Sequence, residues 1–287
     1  MIRSISRAQV YLKNRTKLIR KRSMHRFKLF LKYHLNREEK EPVFIIATRR
    51  TGSNLLLGYL NSIPEASFAP EILNKSMRYG LRSGFISKKA VLRHIAYSIN
   101  ACEEKVCGTK IIKLHLENHK INLEDLRRHF PKARFIILYR RSILHQFVSV
   151  QIAEATNTWS WTNQFQLPSS MVINVPELLE YCKMIKGFYR DIFSHGWLKE
   201  RSIVMSYEEL AESPQEIFER TVFPFLGLPV SPVASEAKKQ NTKKTHQIVQ
   251  NYKDVIPWIG HPLTYQDYLF FGTEQNASVR RSRIMAG

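Results

Sequence analysis

Residues 43–60 leave little choice of architecture. Val43-Phe44-Ile45-Ile46-Ala47-Thr48 is an unbroken apolar run rich in β-branched side chains, Arg49-Arg50-Thr51-Gly52-Ser53-Asn54 follows at once, and Leu55-Leu56-Leu57-Gly58-Tyr59-Leu60 comes next, with Pro64 beyond. An apolar run without polar alternation reads as a strand buried on both faces of a parallel sheet. The order is therefore strand, glycine turn, helix. Such a turn aims backbone N–H groups and the positive end of a helix dipole at one point, which suits a phosphate. The hydroxyls of Thr51 and Ser53 add donors and Arg50 adds a fixed charge. The plainer alternative is a strand-to-helix turn that binds nothing, with Gly52 present for its backbone freedom.

A second run, Arg134-Phe135-Ile136-Ile137-Leu138-Tyr139, ends in Arg140-Arg141-Ser142 and continues as a helix that places Ser149 eight residues after Arg141. A cation at a strand end and a hydroxyl two turns along the next helix make a second anion pocket. Two such pockets at one sheet edge imply a ligand with phosphates at both ends. A Walker A loop is missing: there is one glycine instead of two, the basic residue precedes it, and no later strand ends in an Asp suited to magnesium.

Charge is distributed unevenly. The chain carries a net +21, and residues 1–40 hold thirteen Lys and Arg against Glu38 and Glu39. Residues 1–37 contain no acid, and Tyr11 to Leu35 mixes Leu, Ile, Phe and Tyr with Arg and Lys at helical spacing. This basic amphipathic arm reads as a solvated arm, a peripheral anchor on anionic membrane, or an organelle-targeting segment. The basic body also suits polyanionic partners. No apolar run reaches the length of a membrane span, and the N-terminus lacks the apolar core of a secretory signal. The expected location is cytoplasmic, with peripheral membrane contact and organelle targeting by the arm as the open alternatives. Three cysteines are too few for a disulfide framework, and Cys102 and Cys107 have no second pair to complete a zinc site, so reduced structural thiols are expected.

Taken together, four segments in order resemble the sulfotransferases that use 3′-phosphoadenosine 5′-phosphosulfate (PAPS). Arg50-Thr51-Gly52-Ser53-Asn54-Leu55 is similar to that family's 5′-phosphosulfate loop in its R-[ST]-G-[ST] form. Arg141 to Ser149 is similar to its 3′-phosphate motif. Ser202 to Leu210 with Phe225-Leu226-Gly227-Leu228, and Asn241 to Tyr252, resemble the family's later segments. Within the family, Arg140-Arg141, Gln146, Ser149 and Thr156-Asn157-Thr158-Trp159 look most like the bacterial glycolipid enzymes of the trehalose sulfotransferase type and the carbohydrate branches. Two departures stand out: Arg141-Ser142-Ile143 replaces the widespread R-D-P, and Arg50 replaces the lysine of the phenol and steroid enzymes.

The resemblance implies a single P-loop-like α/β domain with a mostly parallel central sheet flanked by helices, over residues 42–275, between the arm of residues 1–41 and a basic tail of residues 276–287. It implies transfer of a sulfuryl group from PAPS, without a metal, to a hydroxyl of a carbohydrate or glycolipid. Arg49, Arg50, Thr51, Gly52, Ser53, Asn54, Arg141, Ser149, Lys243 and Lys244 are the implied cofactor contacts. Arg50 would stabilise charge growing on the leaving phosphate, and Glu71, after the first helix, would be the base that takes the acceptor's proton. His115, after the expected strand Val106 to Leu114, is a second candidate base. His145 is read as a helix-face residue. Lys110 and His115 are candidate substrate contacts. A nucleotide kinase on the same sheet, or a non-enzymatic basic protein binding membrane or nucleic acid, are the competing classes. The missing Walker lysine opposes the first, and nucleic acid is disfavoured because the body has no nucleic-acid motif. Among structural elements, Asn122 to Asp125 reads as a helix cap and Pro176 to Phe193 as an amphipathic helix with Leu178, Leu179, Tyr181, Cys182, Ile185 and Phe188 inward. Trp159 to Met171 reads as an acceptor-binding lid or an ordinary packed loop.

Overall fold

The computed structural model describes residues 40–75, 80–81, 86–159, 170–237 and 245–259. Most of the basic arm, Lys243 and Lys244, nearly all of the stretch from Trp159 to Met171 and the basic tail lie outside the described residues.

The architecture is α/β, with five strands in the order β2-β3-β1-β4-β5 forming a parallel sheet flanked by helices. Strand β1 is Pro42–Ala47, and all six of its residues are buried, as the unbroken apolar run requires. The chain forms two compact units: residues up to Phe44 with Pro64–Arg134, and Ile45–Ile63 with the residues from Phe135 on.

In the first unit β2 (Ala66–Ala69) pairs in parallel with β3 (Val106–Ile112), Ala66 opposite Val106 and Ala69 opposite Thr109. Gly108 makes this pairing possible: a Cβ there would stand 2.3 Å from the Phe68 ring and 2.4 Å from the Val43 carbonyl. Helix α2 (Lys88–Asn100) starts at Ser87, whose Oγ accepts from the Ala90 N–H at 3.3 Å, and it buries Val91, Ile95 and Ile99. The strand expected to reach Leu114 ends at Ile112, and helix α3 (Lys113–His119) begins there, so His115 lies in its first turn. Across that first turn the Ile112 N–H points to His115 Nδ1 at 3.4 Å. Helix α4 (Leu123–His129) starts at Asn122 through the reciprocal pair Asp125 N–H to Asn122 Oδ1, 2.8 Å, and Asn122 N–H to Asp125 Oδ2, 3.0 Å.

The cysteines correct the sequence reading. Cys102, just past α2, and Cys107, second residue of β3, are joined in a disulfide, with Cα atoms 6.1 Å apart. The tight turn between helix and strand brings them together, a proximity that spacing along the chain does not reveal. Lys40 Nζ caps the same turn through the carbonyls of Cys102 at 2.5 Å and Glu104 at 3.0 Å. Cys182 is free and buried.

In the second unit helix α1 (Ser53–Leu60) follows the glycine turn. Strand β4 (Arg134–Tyr139) pairs in parallel with β5 (Ser202–Ser206), Phe135 opposite Ser202 through Tyr139 opposite Ser206. Helix α5 (Ile143–Ala155) is capped by Ser142, whose Oγ accepts from the His145 N–H at 3.2 Å. Helix α6 (Val175–Ser194) buries Leu178, Cys182, Ile185, Tyr189 and Ile192. Of the expected inward set, Leu178, Cys182 and Ile185 are buried, whereas Leu179 is exposed, Tyr181 and Phe188 are half-buried, and Tyr189 and Ile192 complete the core stripe. Tyr189 occupies that place because its hydroxyl donates to the Leu138 carbonyl at 2.7 Å, so the buried ring leaves no orphan polar atom. Helix α7 (Tyr207–Glu212) opens with a capping box between Ser206 and Glu209.

Candidate active site

The turn after β1 takes an uncommon backbone path. Arg50 has φ 62° and Gly52 φ 81°, both left-handed. For Gly52 this is free of side-chain strain; for Arg50 it costs about 1–3 kcal/mol and persists only where surrounding contacts hold it. Gly52 also cannot carry a side chain, because a Cβ would come 2.2 Å from the Tyr207 ring. Gly52 stands at the start of α1, and no side chain caps that helix, which leaves its positive end to an incoming anion. Ser53 is its first residue and is buried, and Asn54 is exposed. The Thr51 hydroxyl turns inward and donates to the Thr48 carbonyl at 2.9 Å, so it braces the turn.

The Arg50 side chain reaches helix α5, where Nε donates to Ser149 Oγ at 2.9 Å, and Nη1 donates to the Trp159 carbonyl at 2.9 Å. The two implied phosphate residues, 99 positions apart, are in direct contact. Burial, and then the neighbouring Arg140 guanidinium, pull the Arg50 pKa below the usual arginine range. Arg49 lies over the Trp159 ring, 5.2 Å from its centroid, and 4.0 Å from Glu154. Arg141 turns elsewhere and pairs with Glu209 at 2.7 Å. Burial works against its charge, but Glu209 and Tyr139 outweigh that and hold its pKa above the ordinary value.

Four residues outside the expected set complete this cluster. Arg140 Nη1 donates to the Arg50 carbonyl at 3.0 Å, and its guanidinium sits 4.6 Å from the Tyr207 ring centroid. Its Nε is buried with no hydrogen-bond acceptor, 3.8 Å from Glu208. Glu208 caps the start of the next turn by accepting from the Arg141 N–H at 2.9 Å and facing the Ser142 N–H at 3.5 Å. Gln146, fully buried on α5, donates from Nε2 to Thr48 Oγ1 at 2.7 Å and to the Arg49 carbonyl at 2.6 Å. Gln146 and Arg140 are among the residues that carry the resemblance, but it assigns neither of them a contact; Tyr207 likewise has no signal in the sequence beyond the resemblance.

The first unit carries the other cluster. Glu71 Oε1 is 2.8 Å from Lys110 Nζ, and Asn74 Nδ2 donates to Glu71 Oε2 at 2.5 Å. His115 Nε2 lies 3.5 Å from the same Oε2, at the outer limit of a hydrogen bond, and is buried without a bonded partner. Burial opposes the Glu71 charge, but His115, Lys110 and Asn74 outweigh it and hold the carboxyl far below the usual range. Lys110 is 2% exposed, which makes it the buried counter-ion of Glu71. The turn bearing Glu71 is fastened by its carbonyls. Thr109 Oγ1 donates to Ala69 and Pro70, both at 3.2 Å, and His94 Nε2 and His119 Nε2 donate to Ile72 at 3.3 Å and Leu73 at 2.8 Å.

In the second unit the donor set fits a multiply charged oxyanion: an uncapped helix start, a glycine that a side chain would displace, and two partly buried guanidiniums repelling each other. The model of the sulfotransferase family matches residues 42–232. By fold the chain is similar to a sulfotransferase from Alicyclobacillus acidocaldarius, with a TM-score of 0.49 and 14% identity over 76% of this chain and 92% of that one. It is also similar to the mouse sulfotransferase SULT7A1 complexed with PAP, with a TM-score of 0.44 and 13% identity over 88% and 93% of the two chains. No curated protein sequence matches it.

Proposed function

From the premise that the chain belongs to the sulfotransferase family and is a PAPS-dependent enzyme, we propose that its acceptor is a hydroxyl of a carbohydrate or glycolipid and that the two clusters above serve the reaction. The observation that carries this reading is the Arg50–Ser149 contact at the uncapped start of α1. When bound, PAPS supplies the sulfuryl group and departs as 3′-phosphoadenosine 5′-phosphate (PAP). Arg50 neutralises the charge that grows on the leaving phosphate as its bond to sulfur breaks. The α1 start, with Gly52, Ser53 and Asn54, receives the 5′ end. Ser149, Arg141 and the implied Lys243 and Lys244 receive the 3′-phosphate, and for Arg141 this means exchanging Glu209 for the ligand.

The acceptor hydroxyl forms its bond to sulfur while its proton passes to the Glu71–His115 pair. Glu71 by itself is a poor proton acceptor, since a carboxylate stabilised so far below its usual range gains little by protonation. The pair therefore acts as a unit: Lys110 fixes Oε1, and His115, whose Nδ1 accepts from the Ile112 N–H, carries its hydrogen on Nε2 and turns it toward Oε2 at 3.5 Å, so the acceptor's proton goes to the carboxylate. Arginine at position 50 and the Arg140-Arg141 pair support the carbohydrate and glycolipid branches.

Calorimetric titration of the full chain with PAP, and separately with ATP and magnesium, tests the cofactor site. Tight PAP binding that Arg141→Ala weakens about tenfold or more, and no preference for ATP, is the expected result. Preference for ATP would return the reading to a nucleotide kinase.

A further inference from the structure

We propose that Gln146 is a positioning residue for the cofactor turn, holding the Arg49 carbonyl so that the turn is set for the anion before the ligand arrives. The inference rests on the cofactor reading above. Gln146 is fully buried and uses both amide hydrogens on the turn, at 2.7 Å to Thr48 Oγ1 and 2.6 Å to the Arg49 carbonyl. The amide orientation is fixed, because the Arg49 carbonyl can only accept. Its own oxygen, Oε1, is buried with no partner. A position that needed only packing would be better served by an apolar side chain of the same volume, since an unsatisfied buried oxygen is costly. Gln146 is thus suited to its donors, and the donors go to residues 97 and 98 positions away.

The consequence for the turn follows from the planar trans peptide. The C=O and N–H of one peptide point in opposite directions, and the described residues contain no cis peptide. Gln146 holds the Arg49 carbonyl and Arg140 holds the Arg50 carbonyl at 3.0 Å. The N–H groups of Arg50 and Thr51 are therefore turned away from the side chains that bind those carbonyls. The same two tethers oppose relaxation of Arg50 from its φ of 62°. A turn fixed this way meets an oxyanion without a further ordering step, which is how preorganisation raises affinity.

Two variants test the proposal: Gln146→Met, nearly equal in volume without a donor, and Gln146→Glu, equal in shape with an acceptor in place of the donor. Each is titrated with PAP by calorimetry and melted without ligand. The expected result is a PAP dissociation constant raised about tenfold or more in both, with ligand-free melting of Gln146→Met within about 2 °C of wild type. PAP affinity within about twofold of wild type in either folded variant would overturn the inference. So would a loss of affinity accompanied by a melting drop of about 10 °C or more in both, which would make Gln146 an ordinary core residue. If Gln146→Met does not fold, Gln146→Glu decides by the same affinity criterion, and failure of both to fold counts with the core reading. Absence of PAP binding by the wild type would instead sink the cofactor reading, and this inference with it.

Discussion

Arg50 and Glu71 show how much a single charged residue depends on the groups that hold its backbone. Each sits in a turn whose carbonyls are held from outside, Arg50 by Gln146 and Arg140, Glu71 by Thr109, His94 and His119. The charge of Glu71 has a measurable signature. Its folded pKa is depressed from an ordinary 4.5, so its contribution to stability is fully present above that value and is lost as the pH falls through the folded pKa. Glu71→Gln would leave Lys110, 2% exposed, buried without its counter-ion, at a cost of about 3 kcal/mol near neutrality. The deficit should shrink by about 1.4 kcal/mol per pH unit below about pH 4.5. Urea unfolding of both proteins between pH 7 and pH 3 checks this; a gap independent of pH would show that the effect is not one of charge.

At the scale of elements, the β1–turn–α1 unit is the most demanding piece of backbone. Gly52→Ala meets both a left-handed φ and the Tyr207 ring. It should lower stability by about 1–2 kcal/mol and weaken PAP binding at least tenfold, read by thermal melting and calorimetry. This unit was legible from sequence because its signals are local: an unbroken apolar run, one glycine, then a helical run. The Arg141-to-Ser149 spacing likewise placed Ser149 on a helix, although its partner proved to be Arg50. What spacing could not supply were contacts made across the chain. Gln146 and Arg140 reach the turn from 97 and 90 residues away, and the Cys102–Cys107 bond depends on how sharply α2 turns into β3. His115 was misplaced at a strand end because Lys113-Leu114-His115-Leu116 alternates polar and apolar residues, a period that reads as a continuing strand. On α6 several apolar side chains competed for the inward stripe, and the Tyr189 hydroxyl bond to Leu138 decided among them.

Over the whole chain, charge separates what the two ends of the sequence can do. Residues 1–39 hold twelve of the 45 Lys and Arg and two of the 24 Asp and Glu, so they carry ten of the 21 net positive charges. No helix among the described residues is long and apolar enough to cross a membrane. If the arm is a peripheral anchor, the full chain should co-sediment with vesicles containing anionic phosphatidylserine and be released by salt. A chain beginning at Lys40 should lose most of that binding. Equal binding by both would place the attraction in the body. The uncapped start of α1 carries a further consequence for anyone handling the protein. On the proposed reading, backbone amides and guanidiniums at this start hold one end of PAPS without reading the adenosine at that point; inorganic phosphate or sulfate in a purification buffer should then compete, and affinities measured in such buffers should understate those found in an uncharged or chloride medium.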